Sequence, residues 1–253
     1  MNAYSPQDFL TALASQVDPC AAFKTAVQFA PDPWQVDLLT STAQVVQCLA
    51  SRGTGKSQTT AVLAFSFADS NPGVTVLIVA PSLRQANELF RYINLVRGAL
   101  PLSHPAIKDT QSELHLSNGS RIVVLPGTAD NIRGFRCHLL ILEEASRLSD
   151  DLFTAVVPSV LGSGRIIAIT TPAGRSGWFY ELWLEGKAYR ITARSTDLPR
   201  LTDVVARDRL IMRAAQFRTE HLLEWAGSGE TFFDYETVQR AFIDRPPLEL
   251  NLW

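Results

Sequence analysis

Eight consecutive residues, Ala50-Ser51-Arg52-Gly53-Thr54-Gly55-Lys56-Ser57, carry the densest chemistry in the chain. An apolar run precedes them and a helix-forming run follows, the context of a phosphate-binding loop in which Ala50 replaces the usual first glycine. Backbone N–H groups of Gly53 to Ser57 can wrap a β-phosphate at a helix N-terminus, where the macrodipole also favours anions. In such a loop Lys56 reaches the β- and γ-oxygens of ATP and Ser57 holds Mg²⁺, with Ser51, Gly53, Thr54 and Gly55 completing the contact set. Arg52 places a second permanent cation beside the phosphates, suited to sensing or polarising the γ-phosphate. A helix-capping turn is the plainer explanation of the loop, and a solvated side chain that of Arg52.

Hydrolysis also needs a carboxylate for the metal and another to orient water, both at the end of a buried strand. Leu139-Leu140-Ile141-Leu142-Glu143-Glu144 supplies that order. Glu143 stands where aspartate is usual and is assigned to the metal; Glu144 is assigned to the attacking water. Paired acids can instead simply favour the next helix N-terminus. Gln35 can bond an adenine edge, but Asp32 with Gln35 three residues later is equally a capping box. Phe23 or Phe29 can stack on a base or fill the core. Thr170-Thr171-Pro172 ends another apolar run, where Thr170 and Thr171 can sense the γ-phosphate and couple its loss to the rest of the protein; a strand-ending turn explains them nearly as well.

These groups need elements to hold them. Apolar, β-branched runs alternate with amphipathic stretches, the pattern of βα units around a mainly parallel sheet. Ser5-Pro6 opens a first helix and Asp32-Pro33 another over Trp34 to Leu39. Strands are predicted at Val45 to Ala50, Val74 to Ala80, Leu139 to Leu142 and Ile166 to Thr170. A helix of small and apolar residues follows the loop to about Ala68, and Ser82 caps an amphipathic one through Leu83, Ala86, Leu89, Phe90 and Ile93. Alternation on both sides of Asn118-Gly119 predicts a two-residue antiparallel hairpin. Asp151 to Leu161 is predicted as a helix interrupted by Pro158, and Asp203 to Trp225 as one helix or a bent pair ended by Gly227-Ser228-Gly229. Residues 1–229 thus form one domain, and 230–253 a linker or the start of a further one.

With 253 residues, 46% hydrophobic, the chain can bury a sizeable core. A net charge of −2 lacks the overall basicity of a protein that binds nucleic acid with its whole surface. Seven arginines between Arg190 and Arg218 make a local excess, for which a solvated helix face is the plainer account. No apolar run approaches the roughly 20 residues of a membrane span. Three cysteines, Cys20, Cys48 and Cys137, lack metal-ligand spacing and fit a reducing compartment.

Pro33-Trp34-Gln35, the loop at 50–57, Ala80-Pro81-Ser82 with Gln85-Ala86, Ile132-Arg133-Gly134, Glu143-Glu144-Ala145 and Thr170-Thr171-Pro172 together resemble the ATPase domain of large terminase subunits, the viral DNA-packaging motors. The resemblance spans about residues 30 to 230. It implies a three-layer P-loop NTPase of the additional-strand class, with a mainly parallel sheet, flanking helices and an antiparallel hairpin insertion. It further implies ATP and Mg²⁺ as cofactors, and double-stranded DNA as the substrate moved. Implied partners are a homo-oligomeric ring on a portal and procapsid and a small terminase subunit, in the host cytoplasm. The ribonuclease H-like nuclease half of such proteins is not expected in this chain. Arg133 matches the arginine proposed in that family to act in trans on a neighbouring subunit. A helicase-like motor fragment and a nucleotide-binding assembly module with little turnover are the competing expectations.

Overall fold

A computed structural model describes residues 6–127, 132 and 134–226. Eight strands form one sheet: β1 (Val45–Ala50), β2 (Thr75–Ala80), β3 (Ala106–Asp109), β4 (Glu113–Leu116), β5 (Arg121–Pro126), β6 (Cys137–Glu143), β7 (Val160–Thr170) and β8 (Tyr189–Ala193). Their order is β3-β4-β5-β2-β6-β7-β1-β8. All pairings from β5 to β8 are parallel, and β4 and β3 extend the sheet antiparallel. Strand β7 lies between β1, which leads into the phosphate loop, and β6, which ends in the acidic pair. An extra strand at that place is what the additional-strand class denotes.

The strands read as near-continuous apolar runs because the sheet is covered on both faces. In β2, Val76, Ile78 and Ala80 enter one core while Leu77 and Val79 enter the other. The first core is closed by α2 (Pro19–Val27), α3 (Pro33–Thr40), α4 (Lys56–Ser70) and α5 (Leu83–Ala99). Helix α1 (Pro6–Val17) packs outside them on α2 and α4. The second core is closed by α6 (Asp150–Val156) and α7 (Trp178–Glu185). Helices α8 (Thr202–Ile211) and α9 (Ala214–Leu222) follow β8. Proline in the first turn starts α1, α2 and α3, and Ser82 caps α5 through its hydroxyl.

Several expectations change in detail. The hairpin loop has three residues rather than two, since Leu116 N–H donates to Ser120 O and the register pairs Leu114 with Ile122. Gly119, at φ +83°, supplies the left-handed residue that closes a three-residue loop. The Asn118 amide there also donates to Ala68 O and Asp69 O, capping the end of α4. The helix expected over 151–161 ends at Val156, because Pro158 has no N–H with which to continue it. Strand β7 therefore starts at Val160, well before Ile166. Helix α2 and edge strand β8 are additions, and the bent pair over 203–225 is realised as α8 and α9. The boundary expected at 229/230 falls outside the described residues. Among those described, no helix is long and apolar enough to cross a membrane.

Candidate active site

Strand β1 delivers the phosphate loop to the N-terminus of α4. Gly53 and Gly55 adopt φ +76° and +94°, a region open to glycine at little cost. Thr54 is buried and its hydroxyl donates to Ser51 O at 2.8 Å, tying the turn across its base. The Lys56 ammonium points back over the loop, donating to Ala50 O, Ser51 O and Thr171 Oγ1 at 3.1, 3.3 and 2.9 Å. Ser57 lines a cleft of about 90 Å³ shared with Glu143, Glu144, Gln85 and Glu88. A larger groove between α5 and the β3–β4 turn contains none of these groups.

Both acids stand at the end of β6, where the sequence puts them. Glu143 is 5% exposed, and its Oε1 has no hydrogen-bond partner. Burial pushes its carboxyl up to about 7; neighbouring Glu144 adds to the rise, while Thr60 and Lys56 oppose it. Glu144 sits in the left-handed region at φ 48° and turns its carboxylate to 3.9 Å from Lys56 Nζ and 3.9 Å from Arg147 Nε.

The end of β7 touches both halves of this site. Thr171 Oγ1 accepts from Lys56 and donates to Ala50 O at 3.2 Å. Thr170 Oγ1 meets Ser146 Oγ at 2.7 Å, and Ser146, two residues after Glu144, also donates to Thr171 O at 3.0 Å. Thr170 and Thr171 thereby link the loop lysine to the turn that carries the acids.

Residues from the end of the described chain fasten the loop from outside. Ser51 Oγ donates to His221 O at 2.9 Å and Arg52 N–H to Glu220 O at 3.1 Å, while the Arg52 residue itself is exposed. Ala226 N–H donates to Ala173 O at 2.9 Å, just past the two threonines. His221 is held by Ser195 Oγ at Nδ1, 2.7 Å, and by Asp208 Oδ2 near Nε2, 3.3 Å. This serine, histidine and aspartate are all buried, so the series packs α8 and α9 rather than meeting a substrate.

Residues 47–240 match the family described as terminase large subunit, T4likevirus-type, N-terminal. The chain belongs to this family. Over 166 residues it is 29% identical to the probable terminase large subunit of Enterobacteria phage P7, covering 58% of this chain and 34% of that protein. The match thus spans about a third of that relative's length. The large terminase ATPase domain of Thermus phage P74-26 superposes with a TM-score of 0.68 at 23% identity, over 83% of this chain and all of that one. The large terminase of a thermophilic bacteriophage, solved in complex with ATP-gamma-S, gives 0.62 at 16% identity, over 77% of this chain and 52% of that one.

In this terminase domain the residues fit a nucleotide and a divalent cation. The fit rests on a partnerless buried carboxylate oxygen on Glu143 and on the hydroxyl of Ser57, both at one cleft beside a loop with two positive-φ glycines. Carboxylate, hydroxyl and water are the donors a hard cation takes. Gln35 is fully buried beside the loop: its Oε1 accepts the Asp32 N–H at 2.8 Å and its Nε2 donates to Thr59 at 2.9 Å. The capping box is therefore formed, and an adenine contact would require this side chain to become accessible. Phe23 belongs to the core, and Phe29 packs edge-on against it with the Arg200 guanidinium over its ring. Arg133 lies outside the described residues. Ser146, His221 and Arg200 carry contacts the sequence did not announce, since each is an ordinary residue type brought to the loop only by folding.

Proposed function

We propose that this terminase domain binds and hydrolyses ATP with Mg²⁺, and that the complete protein uses the turnover to move double-stranded DNA into a procapsid. One observation carries the reading. Lys56, the carboxylate of Glu144 and the partnerless oxygen of Glu143 meet at the mouth of one glycine loop. In the roles proposed, Lys56 neutralises charge on the β- and γ-phosphates, loop N–H groups hold the β-phosphate, and Glu144 orients the water that attacks the γ-phosphorus. Ser57 and Glu143 would hold Mg²⁺, which when bound supplies further charge neutralisation at the phosphate oxygens. Arg52 is proposed to polarise the γ-phosphate, and Thr170 and Thr171 to pass on its loss.

The remaining assignments rest on the family. Residues 1–229 are proposed as the ATPase domain and 230–253 as a connection onward. A homo-oligomeric ring on a portal, a small terminase subunit and the host cytoplasm are the proposed setting, with Arg133 completing a neighbour's site. Phosphate release by the parent chain and by Lys56→Ala, each with Mg²⁺ and with EDTA, tests the core of the reading. Release is expected from the parent only with Mg²⁺ and from Lys56→Ala under neither condition; equal release from both proteins places the activity elsewhere.

A further inference from the structure

The segment after β8 sends one side chain into the site from far along the sequence. Arg200, in the turn Pro199–Leu201, donates from Nη2 to Thr54 O at 2.7 Å and, more loosely, from Nη1 to Gly53 O at 3.4 Å. Its Nε and Nη2 also bind Asp32 Oδ2 at 3.0 and 2.6 Å, and its face covers Phe29 with 5.4 Å to the ring centroid. One rigid guanidinium thus spans the start of α3 and two successive peptide groups of the phosphate loop. A lysine has no fork with which to do this.

In a trans peptide the carbonyl of one residue and the N–H of the next point in opposite directions. Drawing Gly53 O and Thr54 O outward toward Arg200 turns the N–H groups of Thr54 and Gly55 the other way. These are two of the donors assigned to the phosphates. Such help suits this loop because Gly53 and Gly55, with no side chains, restrict the intervening peptide planes less than other residues would. We infer that Arg200, anchored by Asp32, is a positioning residue that presets the loop's N–H groups for the phosphates and so sets nucleotide affinity. This inference rests on the nucleotide site proposed above.

Charge alone makes a different forecast. Removing the cation at 200 would weaken anion binding, but removing the anion at 32 would strengthen it. A brace loses affinity both ways. Equilibrium titration with ADP, which involves no turnover, should show Arg200→Ala and Asp32→Asn each weakened about tenfold, equivalent to about 1.4 kcal/mol. Arg200→Lys, which keeps charge and stem, should lose nearly as much, and the Asp32→Asn/Arg200→Ala double variant no more than either single one. Amide hydrogen exchange should quicken in the peptide covering 51–57 while β1 keeps its protection. Tighter ADP binding by Asp32→Asn, parent-like binding by Arg200→Lys, or additive losses would overturn the brace. Lys56→Ala is the control: if it abolishes binding while Arg200→Ala binds as the parent does, the inference alone fails. If Lys56→Ala binds ADP like the parent, the nucleotide reading itself fails.

Discussion

The ammonium of Lys56 donates to the hydroxyl of Thr171 at 2.9 Å, joining the phosphate loop to the end of a strand 115 positions later. Because Thr171 also bonds Ala50 O, the contact is part of the native floor of the loop. Thr171→Val keeps the branched shape and deletes the hydrogen bonds, worth about 1 kcal/mol apiece. Lys56 retains Ala50 O and Ser51 O, so ADP affinity should stay within about threefold while single-turnover hydrolysis falls about fivefold, the factor that about 1 kcal/mol represents. A parallel ADP titration and quench-flow measurement decides; equal losses in both mark the threonine as structural only.

The two acids should separate by what they leave intact. Glu144→Gln removes the proposed base but not the cleft, so nucleotide and metal should still bind while turnover drops by about 10² or more. Glu143→Ala should instead raise the Mg²⁺ concentration needed for half-maximal activity. Turnover by Glu144→Gln at the parent rate would remove Glu144 from the chemistry.

Alanine at the two loop glycines should rank in a defined order. Both sit at positive φ, where a Cβ costs about 1–2 kcal/mol. A Cβ at Gly53 meets nothing within 4 Å, whereas one at Gly55 comes to 3.2 Å from Gln35 Nε2, itself buried in the capping box. Gly55→Ala should therefore lower the melting temperature more than Gly53→Ala. Thermal unfolding of the two single variants checks the order, and a reversal would show that Gln35 yields freely.

Stability should also carry an acid limb from Asp208. The Arg207 guanidinium bonded to it holds its carboxyl below the ordinary carboxylate range, and His221 adds to the effect. A depressed pKa contributes stability above the unfolded value of about 3.9 and loses it as pH falls through the folded value. Asp208→Asn should thus unfold at lower urea than the parent at pH 7, and the gap should close below about pH 4. A gap that persists unchanged in acid would assign the loss to packing alone.

How much of this is visible before folding depends on how far apart the partners lie. The phosphate loop and the Glu143-Glu144 pair are legible because their chemistry is local, a few residues at the end of an apolar run. The parallel plan is legible because strands buried on both faces have no polar alternation. Edge strand β8 is missed for the converse reason: Tyr189, Arg190 and Thr192 are exposed, and its pattern reads as a loop. Arg200 is written among seven arginines with nothing to single it out; only the fold brings it 146 positions back to Thr54. Gln35 was ambiguous because one spacing satisfies both a capping box and an adenine contact, and the observed bonds engage it in the first.

The bond from Ser51 to His221 closes a span of 170 residues, and Arg52 is tied to Glu220 beside it. A chain made from its N-terminus produces the glycine loop early and the outer bonds to it from Arg200, Glu220 and His221 late. Contacts this distant in sequence close slowly, after nearer ones have formed. A chain halted before residue 200 would hold every letter of the phosphate motif, with Thr54 bonded to Ser51 and Lys56 to Ala50 and Ser51, but would lack the bonds from Arg200, Glu220 and His221. The outer fastening of the proposed nucleotide loop is therefore completed only when the last helices dock.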